Sequence, residues 1–330
     1  MSRKTDWKVF YQGDPRRHVH RDHRGKEFSL HREFTWGEET WFLPALYLCG
    51  QGIVLDMFLR AEPEKERAFR KKFGLDENND GTDLSEEVRL AAEAEDPLGA
   101  AFKPALRLNG KQICGAWGTW MYFRPGLEAE SSMKETLTHY KLDIRYGWAF
   151  HRWRFPVPGV RQKELRSLEL LLKREKTAMP GPVFDLSAPG ARAVFTDPWG
   201  QTHTLQAVCM EPQRLEERHF PGMENREMPR CFTLMQYVLE PDLDSDRYAL
   251  TDAKDGDRPR PGNTGKKGAG GAAAIGIIGG ADGPVTVFLA GGSSRKKTAC
   301  SSLRFEPSEF HSWRLTFYEK KLPDITVKLF

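Results

Sequence analysis

Two short stretches of this chain gather residue types that bind metals. His18-Val-His20-Arg-Asp22-His23 sets three imidazoles and a carboxylate side by side. Such a donor set suits zinc, which activates a bound water for hydrolysis. Arg16, Arg17, Arg21 and Arg24 crowd the same run, and their charge opposes a dication, so a basic surface loop is the competing reading. Further ligands for such a site would have to come from His139, His151 or His203. The second stretch runs from Asp76 to Glu87. It places the oxygen donors Asp76, Asn78, Asp80 and Glu87 at positions 1, 3, 5 and 12 of a calcium loop, with Gly81 at the sharp turn. Position 8 holds Asp83 instead of the apolar residue that couples paired loops, and an acidic connector competes with calcium binding.

The first run resembles the His-x-His-x-Asp-His motif of the metallo-β-lactamase superfamily. The resemblance implies a metal-dependent hydrolase using His18, His20, Asp22 and His23. That fold carries several strands before its motif, whereas here the motif starts at His18. The second run resembles an EF-hand loop, and candidate helices flank it.

A third segment, Ala274-Ile-Gly-Ile-Ile-Gly-Gly-Ala-Asp-Gly-Pro-Val-Thr-Val-Phe-Leu-Ala290, is the one long apolar run in a polar chain. Ala281-Asp-Gly-Pro284 signals a turn, and Val285–Leu289 is β-prone. The expectation is a hairpin that is apolar on both faces, either a core element or a contact for another chain. Ile275, Ile277, Ile278, Asp282, Val287 and Phe288 are its candidate binding residues. Residues 275–284 resemble a segment of the membrane-embedded beta subunit of sodium-pumping decarboxylases, where the aspartate matching Asp282 lies on the cation path. The resemblance stops at 274–290, Val285 replaces the family's threonine, and the family's other membrane spans have no counterpart. Ion pumping therefore does not carry over. The same run is similar to one in uncharacterised proteins of gut Firmicutes, which implies an interaction role and no activity.

Other chemistry is sparse. No nucleophile elbow, Walker loop or dinucleotide fingerprint is present. Cys49 and Cys114 fall in expected strands and read as packing residues. Trp117, Trp120, Tyr122 and Phe123 read as core, or as the lining of a groove for a sugar or peptide.

Composition sets the frame. Hydrophobic residues make up 39% and charged residues 29% of 330, enough for a folded chain. Fifty basic and 46 acidic residues leave a net charge of only +4, which gives no sign of nucleic-acid binding. Five dispersed cysteines, and no apolar segment after Met1, point to a reducing cytoplasm. The apolar run is too interrupted to span a membrane.

Strand signals dominate: Trp7–Tyr11, two strands within 42–59 joined near Gly50-Gln-Gly52, and a hairpin over 105–113 around Asn109-Gly110. More follow at 146–155, 168–173, 192–195, 203–210, 231–239, 314–318 and 325–329. Helices are expected from Pro63 to Phe73 and from Leu84 to Ala94, the latter capped by Asp83 with Glu86 at N3. His31–Trp36 and His151–Pro156 look weakly alike, as if two related modules repeated. The chain thus reads as mainly β: two sandwich-like or barrel-like modules with a small helical insertion. The expected divisions are 1–146 with the insertion at 63–95, a second module at 147–258, the linker-flanked hairpin at 259–300, and strands at 301–330 returning to the second module. The expected role is a binding or assembly module, through a protein partner or self-association, with 274–290 as contact element. A metal-dependent hydrolase is the alternative, and calcium the one cofactor considered.

Overall fold

The computed structural model describes residues 7–12, 23–76, 84–161, 165–215, 226–261 and 296–330. The fold is mainly β, in antiparallel sheets of which none closes into a barrel. Two compact units divide the chain: residues 1–177 with 320–330, and residues 178–319.

The first unit holds β1 (Lys26–Trp36), β2 (Glu39–Cys49), β3 (Gly52–Ala61), α1 (Pro63–Phe73), α2 (Glu86–Glu95), β4 (Phe102–Leu108), β5 (Lys111–Ile113), β6 (Trp117–Phe123), α3 (Ser131–Tyr140), β7 (Gly147–Pro156), β8 (Leu168–Arg174) and, from the C-terminal end, β18 (Ile325–Lys328). Its five-stranded sheet has the order β1-β2-β3-β7-β6, and its four-stranded sheet the order β18-β8-β4-β5. The two sheets share one core. Leu43, Ile53, Leu55, Met57 and Phe155 of the first meet Phe102, Leu106, Leu170 and Leu172 of the second.

The other face of the five-stranded sheet is also covered. Phe58, Met121 and Phe150 pack on Met133 and Leu137 of α3, and Tyr47 and Val54 on Val9 and Tyr11. This double burial explains the long apolar runs of β2 and β3, which Asp56 alone interrupts between Ile53 and Leu59. Pro44 sits inside β2 at a break in the β2–β3 register, between Phe42 and Leu46, where a missing N–H is tolerated.

Local chemistry sets the other elements. Pro63 opens α1, arginine and lysines fill its last turn, and Gly74 closes it at φ 66°. Asn109 and Gly110 take φ of 49° and 83°, the left-handed pair that a two-residue turn between β4 and β5 requires. α2 starts later than the sequence suggests: Ser85, not Asp83, is its cap, accepting from the Val88 N–H at 3.4 Å. Trp7–Tyr11 forms no strand; it lies on the outer face, its Val9 carbonyl accepting from the Gly25 N–H at 2.8 Å.

The expected boundary near Tyr146 moves to Thr177, because β7 pairs with β3 along its whole length, from Gly52↔Pro156 to Ala61↔Gly147. His31 and His151 lie in strands of that same sheet, so their likeness marks no repeated module.

The second unit holds β9 (Thr177–Asp185), β10 (Arg192–Thr196), β11 (Thr202–Arg214), β12 (Arg226–Glu227), β13 (Cys231–Glu240), β14 (Tyr248–Asp252), β15 (Arg260–Pro261), β16 (Lys297–Cys300) and β17 (Ser312–Glu319). Sheets β10-β11-β13-β16 and β14-β17-β9 enclose a core of Leu205, Met235, Leu239, Leu250, Trp313 and Phe317. β13 alternates buried and half-buried positions from Cys231 to Leu239, the period-two pattern of a strand with one core face. Of the last expected strands, β17 belongs here and β18 to the first unit.

Candidate functional site

Each strand that ends a sheet leaves one row of backbone N–H and C=O groups without a ladder partner, and proteins usually guard such edges with charge, proline or a bulge. Most edges here follow that rule. β1 carries Lys26, Glu27, Arg32 and Glu33 and a bulge at which His31 takes φ 45°. β5 has Lys111, β18 has Lys328, β10 has Arg192, β16 has Lys297 and β14 has Asp252, while β9 has Pro180, Pro182 and Asp185. Among the described sheet edges, β6 is the exception: Trp117-Gly-Thr-Trp-Met-Tyr-Phe123 contains no charge and no proline.

Its aromatic rings are exposed. Trp120 is 57% accessible, and Trp117 and Tyr122 are 43% each. β6 pairs antiparallel with β7 from Trp117↔Arg154 to Phe123↔Trp148. Alternation puts Met121 on the face covered by α3, where it is buried, and Gly118, Trp120 and Tyr122 on the opposite face. Gly118 is needed for close approach, since a Cβ there would lie 2.8 Å from the Trp153 ring. Under Trp117 the buried Arg154 guanidinium sits 4.3 Å from the ring centroid, and its Nε donates to the Tyr11 carbonyl at 2.8 Å.

At the far end Arg124 bolts the strand to α1. Its Nη1 reaches both Glu66 carboxylate oxygens at 2.9 Å, and its Nη2 reaches Asp96 at 2.6 Å. Glu66 is 2% exposed; burial pushes its carboxyl above the usual range against the pull of Arg124. Glu66→Ala leaves Arg124 with Asp96 alone and is expected to cost about 2–3 kcal/mol. Urea unfolding checks this, and a loss under about 0.5 kcal/mol would show that the pair does not hold the strand. The edge is therefore preformed, and a ligand pays little to order it.

Two other described features pair their own charges. A cleft of about 540 Å³ lies among Arg60, Glu62, Lys65, Lys72, Glu95 and Lys321. Its charges pair with neighbours: Lys65 with Glu38 at 3.2 Å, Arg60 with Glu62 at 3.4 Å, and Lys72 with Glu95. On the outer face of the five-stranded sheet, buried Arg152 grips Asp56 with two hydrogen bonds of 2.7 Å, and the Tyr140 hydroxyl donates to the same carboxylate at 2.5 Å.

The sequence-predicted site residues fare unevenly. Ile275, Ile277, Ile278, Asp282, Val287 and Phe288 lie outside the described residues, as do His18, His20, Asp22, Asn78 and Asp80. His23 and Asp76 are exposed, and Glu87 is exposed in the first turn of α2. The three more distant histidines are not brought together. His139 stacks on Trp7 at 4.3 Å, and His151 lies in the core between Trp41 and Phe102. His203 bonds the Pro241 carbonyl at 2.7 Å and Asp197 at 3.2 Å. Among the described residues no three His, Cys, Asp or Glu side chains gather as metal ligands. Cys49 is buried at the end of β2, while Cys114 falls outside any strand and is exposed.

What the fold and this edge define is a class: a mainly-β chain of two antiparallel units, one presenting an unguarded aromatic strand. No family model matches it, and neither does any curated protein or solved structure. No helix among the described residues is long and apolar enough to cross a membrane.

Proposed function

We propose that this chain is a binding or assembly module that associates through extended backbone. The observation that carries the reading is β6, an edge strand with three exposed aromatic rings and no charged residue or proline. An extended polypeptide of apolar, β-prone sequence matches that chemistry. Its backbone would continue the ladder, and its alternate side chains would meet Trp120 and Tyr122 on one face and Trp117 on the other. The apolar segment 274–290 stays in the proposal as a second contact element on its sequence alone. No arrangement of described residues favours the hydrolase.

The test is fluorescence anisotropy with a labelled peptide copying residues 281–290, carrying two added lysines for solubility. Wild type is expected to bind it in a saturable way, in competition with any self-association of the same edge. Trp120→Ser with Tyr122→Ser should weaken binding about tenfold or more, the scale of losing interface aromatics. A peptide with proline at alternate positions, unable to join a ladder, should not bind. Equal affinity in wild type and the double variant would overturn the reading.

A further inference from the structure

Resting on that reading, we infer that the partner of β6 is β6 of a second copy, so that the protein is a two-fold homodimer joined through its five-stranded sheets. The strand is self-complementary about its centre. Antiparallel pairing around Trp120 sets Trp120 opposite Trp120 of the second copy, Gly118 opposite Tyr122, Trp117 opposite Phe123, and Thr119 opposite Met121. On one face the large Tyr122 ring then covers Gly118, which no side chain could fill without striking Trp153; an aromatic across from a glycine is a favourable cross-strand pair. The two Trp120 rings, the most exposed of the strand, are covered in the same step.

No like charges oppose each other across the junction, because residues 117–123 carry none. The pairing is isologous, so it closes at two copies. The far edge of the same sheet cannot extend it, since β1 is bulged and charged. A closed pair is thus expected, with no fibre.

The full chain is first weighed by light scattering after gel filtration, at concentrations up to about 100 µM, a range in which a weak dimer is populated. Twice the chain mass is expected. Trp120→Lys, a change at an exposed position, should give the monomer mass and raise the dimer dissociation constant roughly thirtyfold or more, and its melting temperature should no longer depend on protein concentration, as the wild type's does. Register is read by oxidation in a Cys114→Ser background. Trp120→Cys should cross-link two copies, because opposed Cα atoms in an antiparallel pair lie within disulfide reach. Trp117→Cys should not, since its own copy would sit six residues along the strand.

A wild-type monomer mass overturns the dimer. So does a dimer that survives Trp120→Lys without cross-linking at position 120. In both cases the peptide-binding result decides separately whether β6 remains a site for extended chains.

Discussion

Asp56→Ala is expected to cost the first unit about 3–5 kcal/mol, the range for removing one partner of a buried ion pair. Asp56 is fully buried and Arg152 nearly so. Without the carboxylate, the guanidinium would keep its charge in an apolar setting with two donors unsatisfied. The loss spreads along a directed chain. Trp7 Nε1 donates to the Tyr47 hydroxyl at 3.0 Å, Tyr47 lies 2.6 Å from Tyr140, and Tyr140 donates to Asp56. Burial and the adjacent Asp56 push the Tyr140 hydroxyl well above the usual phenol range, so it stays a donor. Removing the carboxylate loosens β3, β7, α3 and the Trp7 segment together. Urea unfolding followed by tryptophan fluorescence reads the change. Pairing Asp56→Leu with Arg152→Met should recover most of the loss, because well-packed apolar residues commonly replace a buried ion pair without penalty. A single-variant loss under about 1 kcal/mol would mean that the network does not hold the sheet.

The second large effect is acid lability centred on His151. Its ring lies 5.3 Å from Phe102 and 5.6 Å from Trp41, its Nε2 has no hydrogen-bond partner, and burial alone holds its pKa down to about 4, from 6.5. The folded chain thus favours the neutral ring, and unfolding takes up a proton between those two values. Stability from this group is fully present above pH 6.5. It falls by about 1.4 kcal/mol per unit as pH drops toward 4, about 3 kcal/mol in all, and then levels off. His151→Leu keeps the volume and removes the titration. The difference in unfolding free energy between wild type and His151→Leu, measured at pH 7.5 and 4.5, should shift by about 2–3 kcal/mol in the variant's favour at the lower pH. A difference independent of pH would refute the assignment.

Local signals in the sequence translated well where chemistry acts over a few residues. Asn109-Gly110 named its turn, Pro63 opened its helix, and Gly50-Gln-Gly52 marked the join of β2 and β3. What failed was long-range. α3 has no clear sequence signal although Met133, Thr136 and Leu137 share a helical face, because polar residues dilute the stripe. The division at Tyr146 failed because nothing local reveals that β7 pairs with β3. Asp56 sits in the run Ile53-Val-Leu-Asp-Met-Phe58, and only the fold brings Arg152 to it. The β6 rings read as core by residue type, yet the absence of charge over 117–123 was visible. Its meaning depends on β6 being an edge, which is a property of the sheet and not of the strand.

One feature of the topology concerns time. β18 closes the four-stranded sheet beside β8, with Ile325 opposite Leu172, while the whole second unit lies between them in the chain. During synthesis β8 leaves the ribosome long before the strand that shields it. For that interval Leu170 and Leu172 stand in a sheet whose edge along β8 is open. The four-stranded sheet of the first unit therefore cannot be completed until Ile325–Lys328 has been made.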